Sequence, residues 1–272
     1  MATIFGGFLL YHRYQLMTIN YQLFTIYYST VNPEYNPKEI HKIHNIYYIL
    51  PIIFQSVIYV VSLVIFKIFG RMHFSGLENL KDLDTSRGII FAANHSSEWD
   101  GPLIRVALPF LWKSSPMYYV SMEKKFYTDS GWRKVLYGGH LFNMLGAYPV
   151  YSGHKDYAFS LQNHIAIVKG GGAVTIFPEG QRTKTGTIGT VHGGVAYLTH
   201  ATHAPIVPVA ICGLVNLRPL DLLLFRRKVT IHFGVPLEHL TTIPQTHPTV
   251  DDYKSGAAFV MQKVSEILDC AK

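Results

Sequence analysis

From Ile46 to Phe69 the chain reads IYYILPIIFQSVIYVVSLVIFKIF, 24 residues that carry one charge, Lys67. A run that long and that apolar predicts a helix able to cross a hydrocarbon core of roughly 30 Å. Pro51 near its start bends or shortens such a helix, so a segment half-immersed in a bilayer satisfies the pattern as well. A buried core helix is the remaining reading, although core helices seldom run this far without charge. Lys38 and Lys42 precede the segment and Lys67 and Arg71 close it, so the basic residues do not orient it. Residues 1–31 are rich in Tyr, Phe, Ile and Leu but are broken by His12, Arg13, Gln15, Asn20 and Gln22, with no small-residue cleavage site after a clean apolar block. They read as a membrane-surface helix or an extension, and not as a signal peptide.

Beyond Gly70 the period changes. Short apolar runs at 88–94, 117–122, 147–151, 173–178, 205–211 and 228–234 predict strands. Stretches near 97–108, 131–145, 156–169 and 193–202, and a last one at 251–269, predict helices. In DYAFSLQNHIAIVKG, Ala158, Leu161, Ile165 and Val168 recur at spacings of three, four and three, a single helical stripe that Gly170, Gly171 and Gly172 end. Strands alternating with helices, several of them apolar without interruption, predict an α/β fold: a central, mostly parallel sheet covered by helices on both faces. The boundary falls near Gly70. It gives an N-terminal membrane-associated helical region over 1–70 and an α/β domain over 71–272.

Composition adds a setting. Hydrophobic residues make up 49% of the chain and charged ones 15%, against roughly 25% charged in ordinary soluble domains, which favours contact with lipid. Lys and Arg number 24 against 17 acids, a net charge of +7, so an anionic partner is expected: a membrane, a phosphate or a nucleic acid. No nucleic-acid-binding module is recognisable, and FRRK at 225–228 reads as a solvated or headgroup-facing edge. Cys212 and Cys270 have neither metal nor redox spacing. The His41/His44 and His200/His203 pairs lack the H-E-x-x-H pattern or a third ligand at a telling spacing, so no metal is expected.

The run GIIFAA is followed directly by NHSSEWDGP. In an α/β domain ligands collect at the carboxyl ends of strands, which is where His95 and Asp100 fall. With Ser96 or Ser97 capping the next helix, Asp100 lies in its first turns and can reach back to the imidazole. A carboxylate on one ring nitrogen fixes the tautomer and leaves the other free to take a proton, the arrangement of a general base. The plain alternative, that His95 closes a strand and Asp100 favours a helix start, fits the spacing equally well. No G-x-S-x-G elbow supplies a serine nucleophile, which leaves a substrate hydroxyl as the group to be activated. A second polar cluster, FPEGQRTKTGT at 177–187, follows the strand AVTI. Arg182 and Lys184 beside turn amides could hold a phosphate, although it is not a nucleotide P-loop and a solvated turn explains the same residues.

Together the two clusters resemble the glycerolipid acyltransferases, the superfamily of bacterial lysophosphatidate acyltransferases and tafazzin. NHSSEWD is similar to the family's N-H-x-x-x-x-D motif, FPEGQRT to F-P-E-G-x-R-[ST], and PIVPVAI to its V-P-V-A-I strand, in the same order over residues 74–212. The resemblance implies acyl transfer from acyl-CoA or acyl-carrier protein to a hydroxyl of glycerol phosphate or a lysophospholipid, without cofactor, metal or covalent acyl-enzyme. It implies His95 as base, Asp100 as its orienting partner, and Glu179, Gly180, Arg182 and Thr183 as acceptor-binding residues, with Asn94 and Ser97 supporting the first turn. Partners implied are the lipid bilayer, the thioester donor, the lysophospholipid acceptor and, as one form of donor, acyl-carrier protein; the implied location is a membrane with the site facing the cytoplasm. The family often has an arginine just after the strand AYPV, where this chain has Tyr151 and Ser152; Lys155 is the nearest substitute. A non-phosphate acceptor, transacylation between phospholipids, and a lipid-binding protein on the same fold therefore stay open.

Overall fold

The computed structural model describes residues 45–122, 144–151, 156–238, 240, 242–244 and 246–270. After an apolar helix, α1 (Asn45–Ile68), come β1 (His73–Ser75), a 3-10 turn (Leu77–Leu80), β2 (Ile89–Ala93) and α2 (Asp100–Ala107). There follow β3 (Met117–Met122), β4 (Ala147–Val150), α3 (Tyr157–Ser160), α4 (Gln162–Lys169) and β5 (Ala173–Ile176). The chain continues through α5 (Gly194–Thr202), β6 (Ile206–Cys212), α6 (Pro219–Leu223), β7 (Thr230–Phe233) and α7 (Val250–Cys270). The strands form one seven-stranded sheet in the order β1-β7-β6-β2-β5-β3-β4. Neighbours are parallel except β6 and β7.

Continuous apolar strands arise because both sheet faces are covered. All five residues of β2 are buried: Ile90 and Ala92 face a core built with α4, α5 and α7, while Ile89, Phe91 and Ala93 face a second core closed by α1 and α2. The predicted α/β architecture is therefore the observed one. Three elements differ from the sequence reading. The helix expected over 156–169 breaks at Leu161 into α3 and α4, with Asp156 capping the first piece through Ala158 N–H at 2.8 Å. β1 and α6 were not anticipated, being three and five residues long. The helix expected over 131–145 lies almost wholly outside the described residues.

α1 is long and apolar enough to cross a membrane by length and composition. One side of it packs on the domain, burying Gln55, Ser62 and Phe66. Its other side exposes Ile53, Val57, Val60, Val61, Val64 and Ile68, each between 51% and 59% accessible, which argues against the core-helix reading. Gln55 is one of the polar residues buried on this helix. Its side-chain amide donates to Met117 O (2.6 Å) and Leu145 O (3.0 Å), and its carbonyl accepts from Met117 N–H (3.0 Å). Gly146 gives the amide room: at φ 85° it takes a left-handed conformation, and a Cβ there would lie 2.8 Å from Gln55 Nε2.

α4 buries His164 completely, and that burial draws its pKa down from 6.5 to about 4, with the carbonyls of Tyr119 and Tyr148 opposing part of the shift. Below pH 6.5 the unfolded chain protonates this imidazole while the folded chain does not, so stability present above pH 6.5 is lost as pH falls towards 4. The loss from this group should be about 3 kcal/mol. Thermal melts across that range should show a steep fall for the native chain and a shallower one for His164→Gln; parallel curves would remove His164 as the cause.

Candidate active site

β2 and β5 are parallel neighbours with Ala92 opposite Ile176, so the turns that follow them emerge side by side. Asn94 extends the other flank of β2: its amide donates to Ile211 O at 2.9 Å and accepts from Ile211 N–H at 2.8 Å, tying the strand end to β6. The chain then turns through His95–Trp99 into α2. Asp100, the first residue of α2, is fully buried, and its carboxylate reaches back across the turn. It accepts from Ser96 N–H (2.5 Å), Ser97 N–H (2.8 Å) and the Ser96 hydroxyl (3.3 Å), and lies 2.8 Å from His95 Nδ1. A fully buried carboxylate is satisfied here by main-chain donors at a helix start. With Nδ1–H donating to Asp100, Nε2 carries the lone pair, and among the described residues it has no hydrogen-bond partner. The His95 side chain keeps 22% of its surface and lines a cleft. Its ring stacks on Phe177, centroids 4.1 Å apart and planes 16° from parallel.

The second turn grips the first through the backbone of His95. His95 N–H donates to Glu179 Oε1 at 2.8 Å, Gly189 N–H donates to Glu179 Oε2 at 3.0 Å, and Thr183 N–H donates to His95 O at 2.8 Å. Glu179 is buried and does not line the cleft. The sequence reading of Glu179 as an acceptor ligand is thus at odds with its geometry: both carboxylate oxygens are taken by main-chain donors, and the side chain braces the two turns. Gly180 adopts φ 68°, and a Cβ there would press on the His192 ring at 3.1 Å, so glycine is needed both for the turn and for the approach. Arg182 is at the cleft, its guanidinium donating to Glu98 Oε1 at 2.9 Å with side chains 47% and 37% exposed. An ion pair this exposed contributes roughly 0–1 kcal/mol.

The cleft has a volume of about 1370 Å³. It is lined by polar residues of the two turns, His95, Ser97, Arg182, Thr183 and Lys184, with Gly180, and by apolar ones, Ile58 and Tyr59 of α1, Pro102 and Val106 of α2, and Val120 and Leu145. Arg105 also lines the cleft, tied to Pro109 O (3.2 Å) and Phe110 O (2.7 Å) and stacked over the Tyr59 ring. Burial lowers its pKa and raises that of the Tyr119 phenol, the Arg105 charge opposing part of the latter shift. Tyr151 is on the cleft wall, whereas Lys155, with Ser152 and His154, lies outside the described residues. Of the predicted site residues, then, His95, Asp100, Asn94, Ser97, Glu179, Gly180, Arg182 and Thr183 converge at one end of the sheet. Phe177 and Glu98 were missed as participants. The stacking of Phe177 follows once β2 and β5 are neighbours, and Glu98 occupies one of the unspecified positions inside the first motif, NHSSEWD. Among the described residues no group of three or more His, Cys, Asp or Glu side chains is placed to hold a metal ion.

The family model described as acyltransferase matches residues 71–212, more than half of the chain and both turns of the site. The chain belongs to the acyltransferase family. This acyltransferase-family chain is 26% identical over 152 residues to the chloroplastic 1-acyl-sn-glycerol-3-phosphate acyltransferase BAT2 of Brassica napus, covering 56% of the chain and 40% of that protein. It is 27% identical over 152 residues to the corresponding LPAT1 enzyme of Arabidopsis thaliana, covering 56% of the chain and 38% of the relative. The chain thus spans about two-fifths of the length of these curated relatives. Its fold is similar to the crystal structure of the 1-acyl-sn-glycerophosphate acyltransferase PlsC of Thermotoga maritima, with a TM-score of 0.52 at 19% identity over 98% of both chains.

A bracing Glu179 and a substrate-binding Glu179 predict different outcomes for Glu179→Ala. Leaving two buried N–H groups without their ionised acceptor should cost on the order of 3 kcal/mol of stability, read from denaturant unfolding. An acceptor ligand would instead leave stability intact and raise only the acceptor KM.

Proposed function

We propose that the chain transfers a fatty acyl group from a thioester, acyl-CoA or acyl-carrier protein, to the free hydroxyl of a 1-acylglycerol-3-phosphate-type lysolipid. The observation that carries this reading is the His95–Asp100 pair, with His95 lining a cleft that is walled by both cationic and apolar side chains. Nε2 takes the proton of the acceptor hydroxyl as its oxygen attacks the thioester carbonyl carbon. The imidazolium so formed is stabilised by the buried Asp100 carboxylate, and the stacked Phe177 holds the ring plane. Collapse of the tetrahedral intermediate breaks the carbon–sulfur bond, and the proton on Nε2 returns to the departing thiolate. Ester and thiol are the products, with no acyl-enzyme between them.

Arg182 is the group proposed to meet the acceptor phosphate, exchanging Glu98 for it; its planar fork suits a bidentate contact. Thr183 and Ser97 line the same cleft, and its apolar lining takes an acyl chain. The names of the two plant relatives support a 1-acylglycerol-3-phosphate acceptor. The lipid nature of acceptor and product, together with the exposed aliphatic side of α1, supports attachment to a membrane with α1 lying half-immersed and the site on the cytoplasmic side, where thioester donors are made. Tyr151 in place of an arginine favours a second reading, acylation of an acceptor without phosphate.

Incubation of the purified chain with labelled acyl-CoA and a panel of lysolipids, with products read by mass, tests the reading. His95→Ala should lower kcat by roughly a thousandfold or more while the chain remains folded; retention of more than a few per cent of activity sinks the base assignment. Arg182→Ala should raise the KM of phosphate-bearing acceptors by roughly ten- to a hundredfold and leave that of monoacylglycerol unchanged. An equal effect on both acceptors would favour the second reading.

A further inference from the structure

We infer that α6 and the turn that follows it, through Lys228, form a second membrane-seating element, placed in an anionic leaflet beside α1. This rests on the membrane attachment proposed above for α1. α6 has the sequence PLDLL, and the chain continues as Leu224, Phe225, Arg226, Arg227 and Lys228. Leu222 is its inward residue and packs on the core between sheet, α1 and α2. Leu220, Leu223, Leu224 and Phe225 point outward and are 57%, 59%, 48% and 47% exposed. Four large apolar side chains on so short a segment are not scattered surface residues.

The backbone holds them out. Phe225 adopts φ 55°, the left-handed position after a helix end where glycine is the usual occupant. Phe225 N–H donates to Leu222 O at 2.8 Å and Arg226 N–H to Asp221 O at 2.8 Å, so the strained residue is locked in place by the helix it terminates. A bulky aromatic placed where glycine would relieve strain points to use of the ring itself. That ring lies 5.5 Å from the ring of Phe69 at the end of α1, which joins the exposed apolar side of α6 to the aliphatic side of α1.

Charge selects the occupant. Lys67 and Arg71 flank Phe69 in sequence and Arg218, Arg226, Arg227 and Lys228 bracket the apolar residues of α6 and its turn, Arg71 Nε donating to Arg227 O at 3.4 Å; Asp221, the acid of α6, is already paired with Arg227 at 3.4 Å. Six cations against one carboxylate repel a second copy of the same face and complement acidic headgroups, whose phosphates lie just above the acyl region that four apolar side chains would enter. Asn216 and Leu217, immediately before α6, line the cleft, and Asn216 Nδ2 donates to Lys184 O at 3.2 Å. Seating α6 therefore sets the polar mouth of the cleft at the depth of the headgroups, where a lysolipid resides.

Vesicle flotation of the full chain tests this, with phosphatidylcholine vesicles that contain or lack phosphatidylglycerol. Two variants, Leu223→Glu with Leu224→Glu and Arg226→Glu with Lys228→Glu, should weaken partition into the anionic vesicles by roughly tenfold or more. The advantage of anionic over neutral vesicles should shrink as salt is raised past about 0.1 M, where screening shortens to roughly 10 Å. Circular dichroism and thermal unfolding verify that each variant folds. If the glutamates unfold the chain, Leu224→Trp replaces them: its added fluorescence should be quenched by acyl chains brominated near the headgroup. Vesicle binding unchanged in both variants, a tryptophan that brominated lipid does not quench, or variants that alter only the sedimentation of detergent-dispersed protein, as expected if a second copy covers this face, would each overturn the inference. Acylation of a micelle-dispersed lysolipid should be the same in variants and native chain. Its absence from all of them would count against the proposed reaction and leave the vesicle result standing.

Discussion

Taking a carboxylate fully out of water costs several kcal/mol unless donors replace the lost hydration, and the Asp100 side chain meets that demand within six residues of sequence. The N–H groups of Ser96 and Ser97 and the Nδ1–H of His95 converge on it, so one carboxylate both closes the turn out of β2 and fixes the imidazole tautomer. Local folding and chemical readiness are here the same set of hydrogen bonds. The turn cannot open without leaving the charge unsatisfied, and the charge cannot be satisfied unless the ring is held.

The sheet supplies what the turn cannot. Parallel pairing of β2 with β5 delivers the second motif alongside the first, and the main chain of His95 is then held at both its N–H and its carbonyl by that second loop. Arg182 belongs to the loop that holds His95 O through Thr183, so the cationic and basic ends of the cleft are mechanically one piece. The Arg182–Glu98 pair is the solvent-exposed part of this arrangement.

Much of this was legible in the sequence, and what was not has identifiable causes. Continuous apolar runs such as GIIFAA mark strands buried on both faces, and the strand at 117–122 is found within those limits. His95 and Asp100 could be paired because five residues span one turn, a local geometry. Strand order could not be read, nor the reversal of β7 against β6, because pairing partners such as Cys212 and Thr230 are set by the whole sheet. β1 is a three-residue edge strand whose partner, β7, lies more than 150 residues away. Glu179 shows the limit of a motif most clearly. Residue types at a spacing say that a carboxylate is present, but its partners are an amide ten residues later and another 84 residues earlier, and only the fold decides that it faces inward.

Gln55 has a consequence for how the molecule sits. Three hydrogen bonds and the buried Phe66 fasten α1 along its length to the start of β3 and to the core beneath β2, with Gly146 left bare to admit the amide. A helix attached by a flexible stalk would let the globule roll; one bolted at two heights does not. The tilt of the cleft opening relative to the aliphatic flank of α1 is therefore built into the fold, and any surface on which that flank rests receives the opening at a single fixed angle.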